Sequence, residues 1–346
     1  MISYTPPPSP DGSCHKVVVG VVRPKSWVFA RPEYCHVGRS LADPLNGASL
    51  GKQLETDLQS RKRGKLRLSL AAIPLFTKSG ATRVRIVLNY PSKFYTDDCT
   101  ARPIFVGLLG IIYTKGGNSV QRFSDLTSHS TGTLYPALPV LDFLVTGLSG
   151  PCQFATPYRY ETQTALPPGE YKLRVVLSDG KKFGRVEVPL TVNNYDRQHL
   201  GISGIVLARR YRQASSNPRE DPTVLPQNYA PLISKGVIVT PTANTHFEKG
   251  GPFCFYVEIF KPRQPGSPQR TTVAHMKIVD AKTGNTVKQL DPINAASYAI
   301  PGNPVIPIRG GIDITALPKG SYLLEVQATD SAGESTPWRS ANFTIE

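Results

Sequence analysis

The sequence contains Leu166-Pro167-Pro168-Gly169-Glu170-Tyr171-Lys172-Leu173-Arg174-Val175, and 151 residues later Leu317-Pro318-Lys319-Gly320-Ser321-Tyr322-Leu323-Leu324-Glu325-Val326. Proline fixes φ and glycine can adopt positive φ, so the Pro-Gly corner predicts a tight turn. Beyond the glycine, apolar residues alternate with polar ones, which predicts a strand with one buried face. A leucine, a corner and a tyrosine that opens a strand are typical of the tyrosine corner of immunoglobulin-like sandwiches. The alternative is an ordinary hairpin with a core tyrosine. The candidate corner residues are Leu166, Gly169, Tyr171, Leu317, Gly320 and Tyr322.

Two weaker repeats accompany the corner motif. Residues 115–120 and 282–287 share the pattern K-x-G-N-[ST]-V, and residues 83–91 resemble 254–262. Repeats of this length indicate two related globular domains. We therefore predict an all-β fold of two tandem immunoglobulin- or fibronectin type III-like β-sandwiches, preceded by a β-hairpin and one short helix. The predicted boundaries are 1–62 for the hairpin and helix, 63–198 for the first sandwich and 199–346 for the second.

The periodicity predicts seven strands in each sandwich. A helix is predicted where Leu50, Leu54 and Leu58 recur four residues apart, with Asn46 or Ser49 as its cap. Its apolar stripe indicates docking on a neighbour, and a partner-binding face is the alternative. The predicted strands are 66–76, 83–90, 103–114, 119–124, 157–165, 170–178 and 184–192 in the first sandwich, and 237–240, 253–260, 273–280, 286–290, 305–315, 321–329 and 338–345 in the second.

The N-terminal hairpin brings two cysteines together. A turn at residues 23–26 pairs positions whose numbers sum to about 49, so Cys14 and Cys35 face each other at a spacing that suits a disulfide. A zinc site is the alternative, because each cysteine is followed by a histidine. Successive residues of a strand point to opposite faces, which argues against zinc.

The remaining cysteines differ in context. Cys99 and Cys152 precede the third and fifth predicted strands, whose loops lie at one end of a sandwich, so a second disulfide is possible, with two reduced surface thiols as the alternative. Cys254 lies in an apolar strand and is predicted to be a buried free thiol rather than a nucleophile.

The charge is strongly positive and unevenly distributed. The chain has a net charge of +15, and residues 61–198 contain 19 basic and 9 acidic residues. Part of the excess lies in the runs 61–67 and 209–212. Neither run belongs to a nucleic-acid-binding motif, so we interpret both as solvated linkers, with a functional basic patch as the alternative.

Motifs that would indicate an enzyme are missing from the sequence. None of the six histidines has zinc spacing, and there is no nucleophile elbow, P-loop or dinucleotide fingerprint. Asp179 and Asp330 end matching strands, which predicts that they cap turns. The sequence predicts no enzyme, cofactor or metal, and it has neither a membrane-spanning apolar run nor a signal peptide at its start.

Several N-terminal segments resemble a known family. The residues are Tyr4-Thr5-Pro6-Pro7, Cys14-His15-Lys16, Tyr34-Cys35, Asp43-Pro44-Leu45 and Gly51-Lys52-Gln53-Leu54-Glu55, and residues 166–175 and 201–208 fit the same pattern. They are similar to the region after the von Willebrand factor A core in VWFA-related proteins of the acidobacterial type. The D-x-S-x-S metal-adhesion motif is missing here, so the chain resembles the C-terminal part of such a protein, and metal-dependent adhesion is not carried over.

This resemblance implies a non-enzymatic, secreted or cell-surface protein that acts as a structural or protein-interaction module. The alternative function is a carbohydrate- or polyanion-binding module, on account of Trp27, Trp338 and the basic first sandwich. A protein partner is expected and nucleic acid is not, while the identity of the partner and the oligomeric state stay open.

Overall fold

The protein is described from a computed structural model, which covers residues 14–16, 33–35, 43–60, 62, 64–77, 79, 81–90, 94–95, 104–129, 153–154, 158–195, 198–213, 231–262 and 270–346. For residues 14–16, 33–35, 94–95, 104–105, 127–129, 153–154 and 158 only the backbone is described.

The first half of the chain contains eleven described strands and one helix. In chain order they are β1 (Cys14–Lys16), β2 (Glu33–Cys35), α1 (Ser49–Gln59), β3 (Ser69–Phe76), β4 (Thr82–Tyr90), β5 (Phe94–Tyr95), β6 (Ile104–Thr114), β7 (Ser119–His129), β8 (Gln153–Phe154), β9 (Tyr158–Ala165), β10 (Gly169–Ser178) and β11 (Phe183–Val192).

Seven of these strands form the first sandwich. One sheet has the order β3-β4-β9 and the other has the order β11-β10-β6-β7, with every pair antiparallel. Alternate residues of both sheets point inward and fill a single core, including Val84, Ile86, Leu108, Leu173 and Val175. The prediction of a fibronectin type III-like sandwich is confirmed, and the seven predicted strands match the observed ones closely.

Helix α1 packs on the outer face of the four-stranded sheet. Leu54 and Leu58 are buried against Leu109 and Val176, which point away from the sandwich core. The predicted docking is confirmed. The predicted cap is wrong, because the N-cap is Ala48 and it makes no side-chain bond to the helix.

The described residues of the second half form eleven strands and a short 3₁₀ helix. They are β12 (Gly201–Ile202), β13 (Val206–Gln213), β14 (Leu232–Ser234), β15 (Val237–Pro241), β16 (His246–Phe247), β17 (Cys254–Phe260), β18 (Thr272–Asp280), β19 (Thr286–Asn294), the 3₁₀ helix η1 (Ala295–Tyr298), β20 (Val305–Gly311), β21 (Gly320–Asp330) and β22 (Arg339–Ile345).

The second sandwich repeats the first with additions. Its sheet β16-β22-β21-β18-β19 faces a sheet in which β17 pairs with β12, β13 and β20, while β15 and β14 extend β13. Their inner faces enclose a core that includes Phe255, Val257, Ile278, Leu324 and Phe343. The run 209–212, interpreted as linker, lies within β13, so that interpretation is wrong.

Candidate functional site

The two corner motifs adopt the same geometry. Tyr171 Oη donates a hydrogen bond of 2.9 Å to the carbonyl of Pro167, and Tyr322 Oη donates one of 2.8 Å to the carbonyl of Pro318. The leucine of each motif is buried, with Leu166 at 7% and Leu317 at 5% exposure. Each tyrosine therefore ties the start of its strand back to the preceding corner.

The tyrosine ring folds closely over the glycine of each corner. A Cβ built on Gly169 lies 3.3 Å from the hydroxyl of Tyr171, which is a tight contact, and one built on Gly320 lies 3.4 Å from that of Tyr322, which is an ordinary contact. A side chain at Gly169 would therefore crowd the ring, whereas one at Gly320 would only touch it. These residues therefore serve the architecture. Tyr171 also lines a cavity of about 450 Å³, beside Lys115, Glu170, Lys172 and Arg174.

Turn capping by the repeated aspartates is confirmed. Asp179 Oδ1 accepts from the backbone N–H groups of Lys181 and Lys182. Asp330 Oδ1 accepts from those of Ala332 and Glu334.

The two sandwiches contact each other through a buried interface. The outer face of β3 and β4 packs directly on the outer face of β13, β15 and β17, so the sandwiches stand back to back. The apolar part of this contact is a buried cluster from both sandwiches: Ile73, Leu75, Val87, Val206, Ala208, Leu232, Val239, Ala243, Cys254 and Tyr256.

Close backbone contacts cross the same interface. Gly204 N–H donates to the carbonyl of Pro74 at 2.8 Å, and a Cβ on Gly204 would lie 2.8 Å from Ile73 Cγ2. Asn89 Oδ1 accepts from the N–H of Ala243 at 2.6 Å. These distances place the two sheets in direct contact at these positions.

Charged side chains are buried beside this apolar contact. Glu258 is 1% exposed, and its carboxylate accepts from Arg83 Nη2 at 2.6 Å, from Phe76 N–H at 2.6 Å and from Tyr256 Oη at 2.8 Å. Arg83 and Phe76 belong to the first sandwich, whereas Glu258 and Tyr256 belong to the second. All bonds to the carboxylate are short and three donors converge on it.

A second ion pair adjoins the first. Arg85 is fully buried, with Nη1 3.6 Å from Glu161 Oε2. Burial and the Glu258 carboxylate raise the pKa of Tyr256 well above its usual value, so Tyr256 stays a hydrogen-bond donor. We call Arg83, Arg85, Glu161, Tyr256 and Glu258 the interface ionic cluster.

The segment between the sandwiches is also fastened to both. Tyr195 packs edge-on against Phe76 with ring centroids 4.6 Å apart, and Arg339 Cζ lies 5.8 Å from the Tyr195 ring centroid. Leu200 N–H donates to Glu334 Oε1 at 2.7 Å. Tyr195 and Leu200 therefore both contact the second sandwich, and Tyr195 also contacts the first.

The cysteines fall into two groups. Cys14 and Cys35 are paired in register in the β1–β2 hairpin. Their side chains, and Cys99 and Cys152, lie outside the described residues, so both disulfides stay predictions. Cys254 is a free thiol, 8% exposed, and burial raises its pKa, which confirms the predicted buried thiol.

The described residues hold no cluster of metal ligands, and their one tryptophan is partly covered. Within the described ranges there is no group of three or more His, Cys, Asp and Glu side chains that could hold a metal ion. Trp338 is 37% exposed, but Lys277 Nζ lies 4.5 Å from its ring centroid. One face of this indole is thus occupied, and Trp27 lies outside the described residues. Across the described helices, none has the length and apolar character needed to cross a membrane.

Comparisons with known proteins identify no family for this chain. No family model and no curated protein matches the chain. Among solved structures, a biofilm-associated protein BSP domain is 8% identical over 87% of this chain with a TM-score of 0.21, and the chain spans about half (55%) of its length. A biofilm-associated protein B domain is 8% identical over 81% of this chain and 85% of its own length, with a TM-score of 0.24. Similarity at this level carries no inference about function.

Sequence reasoning missed the interface ionic cluster. Arg83 and Arg85 alternate with apolar residues in β4, which is the usual pattern of a strand with one solvated face. The one available signal was β17, where Cys254–Phe260 is apolar except for Glu258 and is buried throughout. A continuous apolar run of this kind indicates a strand covered on both faces.

Proposed function

We propose that this protein is a non-enzymatic structural unit, in which two β-sandwiches are held back to back and present their remaining surfaces to a protein partner. The observation that carries the proposal is the interface itself. It combines a buried apolar cluster with directional bonds from three donors to Glu258, and it is continuous with a linker fastened at Tyr195 and Leu200.

We expect this interface to hold the two sandwiches rigidly. Domains joined by a linker alone move relative to each other, unless their interface is large and apolar. Here the apolar cluster supplies the affinity between the sheets. The buried ion pair adds little net stability, but any other sheet alignment would leave Glu258 and Arg83 uncompensated. The cluster therefore specifies a single arrangement.

The secreted or cell-surface location belongs to this proposal. Its support is the resemblance to VWFA-related proteins and the register of Cys14 with Cys35. Free-thiol titration of the unfolded, unreduced protein from its native host tests the location. Five reactive thiols would count against an oxidising compartment.

The rigid arrangement can be tested with one fluorophore. Trp338 lies in the second sandwich, and Trp27→Phe would leave it as the only tryptophan. Val84 is fully buried in the core of the first sandwich, so Val84→Ala lowers the stability of that sandwich. If the interface couples the sandwiches, Val84→Ala will also lower the urea midpoint reported by Trp338. An unchanged Trp338 midpoint, with the first sandwich unfolding earlier by circular dichroism, would show that the modules are independent and would overturn the proposal.

A further inference from the structure

A basic surface forms where two distant segments meet at one end of the first sandwich. The N–H groups of Lys65 and Leu66 both donate to the carbonyl of Phe183, at 2.8 and 3.1 Å, and Gly64 pairs with Gly184 as an isolated bridge. Residues 64–66 thereby lie beside the start of β11, next to the β10–β11 turn. Together, residues 61–67 and 179–185 contain eight basic residues and one acidic residue.

The described cations of this surface point to solvent. Lys62, Lys65, Arg67, Lys181 and Lys182 are all exposed, and we call these five residues the basic end patch. Within the part of the chain that the structure describes, none of the five forms an ion pair.

The nearby charges do not neutralise the patch. Asp179 is the single acid of the two segments, and its Oδ1 is engaged by the turn. Arg185, at the edge of the patch, donates to the carbonyl of Leu58 at the end of α1, and its positive charge adds to the field.

On the exposed face around Glu170 and Glu187 the cations are matched. Lys172 and Arg174 both pair with Glu187, and Lys115 pairs with Glu170. Against that pattern, five unmatched cations on one small surface repel each other over a Debye length of about 8–10 Å. The fold gains nothing from this concentration of charge.

We infer that the basic end patch binds a linear acidic polysaccharide, one that carries sulfate or carboxylate groups. The chemistry of the patch favours this class over other polyanions. Four of the five cations are lysines, which act as point charges and lack the planar fork that reads base edges. Phe183, the one aromatic residue of the two segments, is half-buried against the apolar cluster under α1, so it is not an open platform on which bases would stack. The exposed large apolar side chains are all outside it, which disfavours insertion into a lipid surface.

The salt dependence follows from counterion release. For polyanions, each neutralised charge contributes about 0.7–0.9 to the slope of log affinity against log salt. Five contacts give a slope of about −4, so affinity should fall roughly 250-fold between 50 and 200 mM salt. Each lysine near an anionic surface contributes roughly fivefold, so loss of three should weaken binding roughly 100-fold at 50 mM salt.

The experiment compares two triple variants of equal net charge. The patch variant is Lys65→Glu/Lys181→Glu/Lys182→Glu, and the control variant replaces three exposed lysines of the second sandwich, Lys249, Lys282 and Lys319, with glutamate. Binding of the full chain to a labelled heparin oligosaccharide is measured at 50 and 200 mM salt. A duplex DNA, a single-stranded DNA and vesicles containing phosphatidylserine serve as rival ligands.

Heparin binding weakened by more than roughly 100-fold in the patch variant, because each glutamate reverses a charge instead of only removing it, with nearly unchanged binding in the control, supports the inference. Equal loss in both variants would attribute binding to net charge and overturn it. Tighter patch-dependent binding of DNA or vesicles than of heparin would overturn the choice of ligand. If the glutamate triple does not fold, the corresponding Lys→Gln triple gives the same comparison with about half the change in charge.

Discussion

Replacement of Glu258 by alanine tests whether the interface ionic cluster holds the two sandwiches together. The carboxylate is 1% exposed and receives three hydrogen bonds, two of them from the other sandwich. Its removal leaves the Arg83 cation, 17% exposed, without its counter-charge, and it leaves Phe76 N–H and Tyr256 Oη without their acceptor. Breaking a buried ion pair in this way costs about 3–5 kcal/mol.

Urea unfolding followed by Trp338 fluorescence and by circular dichroism measures this cost. With a slope of about 3 kcal/mol per molar urea, the midpoint should fall by roughly 1–2 M. Glu170→Ala is the matched control, since Glu170 pairs with Lys115 on the exposed surface and its loss should leave the midpoint unchanged.

A double-mutant cycle isolates the ion pair. Arg83→Met should cost about 2 kcal/mol less in the Glu258→Gln background than in the wild-type protein, and this difference is the coupling energy of the pair. Coupling below about 0.5 kcal/mol, or a Glu258→Ala protein as stable as the control, would refute the reasoning that the pair is buried and specific.

Three further substitutions test the packing by urea unfolding. Leu54→Ala should cost about 2–5 kcal/mol of stability, because Leu54 is fully buried between α1 and the sheet. Leu126→Ala, at a side chain 44% exposed, should be near neutral. Equal effects would mean that the helix is not docked. Gly204→Ala should cost about 1–3 kcal/mol through crowding at the interface, while Gly311→Ala, which meets nothing within 4 Å, should not, and a neutral Gly204→Ala would contradict the close packing. Tyr322→Phe should cost about 1 kcal/mol through the lost corner bond, and no change would show that this bond contributes nothing.

The strands and the helix could be predicted because the spacing of apolar residues within each element shows its type and its buried face. The alternation after Gly169 and Gly320 describes β10 and β21, and the four-residue spacing of Leu50, Leu54 and Leu58 describes α1. These patterns report which face of an element is buried, and they hold whatever the element packs against.

The interface could not be predicted in the same way, because burial of a polar face depends on a partner surface far away in the sequence. Arg85 has the same alternation as a solvated residue, yet it is fully buried. The basic run 209–212 in β13 gives a second example of side chains that pack on the fold. Arg209 lies over the Phe247 ring, and Tyr211 Oη donates to the carbonyl of Phe255. Its charge alone predicted a linker. The directions of its side chains are set instead by the pairing of β13 with its neighbouring strands.

The outer faces of the two repeats explain why the modules have different surfaces for partners. Val176 pairs with Leu109 in the first sandwich, and the corresponding pair five residues after the second corner tyrosine is Gln327 with His275. The apolar pair lies beneath α1, while the polar pair is half-buried and His275 bonds to Thr329 across the strands. An uncovered valine and leucine would cost solvation, so the helix and the apolar pair depend on each other. The two sandwiches therefore share the corner motif but differ in the residues of their outer faces, because among the described residues only the first is covered by a helix. The surfaces they offer to partners differ accordingly: a basic end on the first sandwich and a polar sheet face on the second.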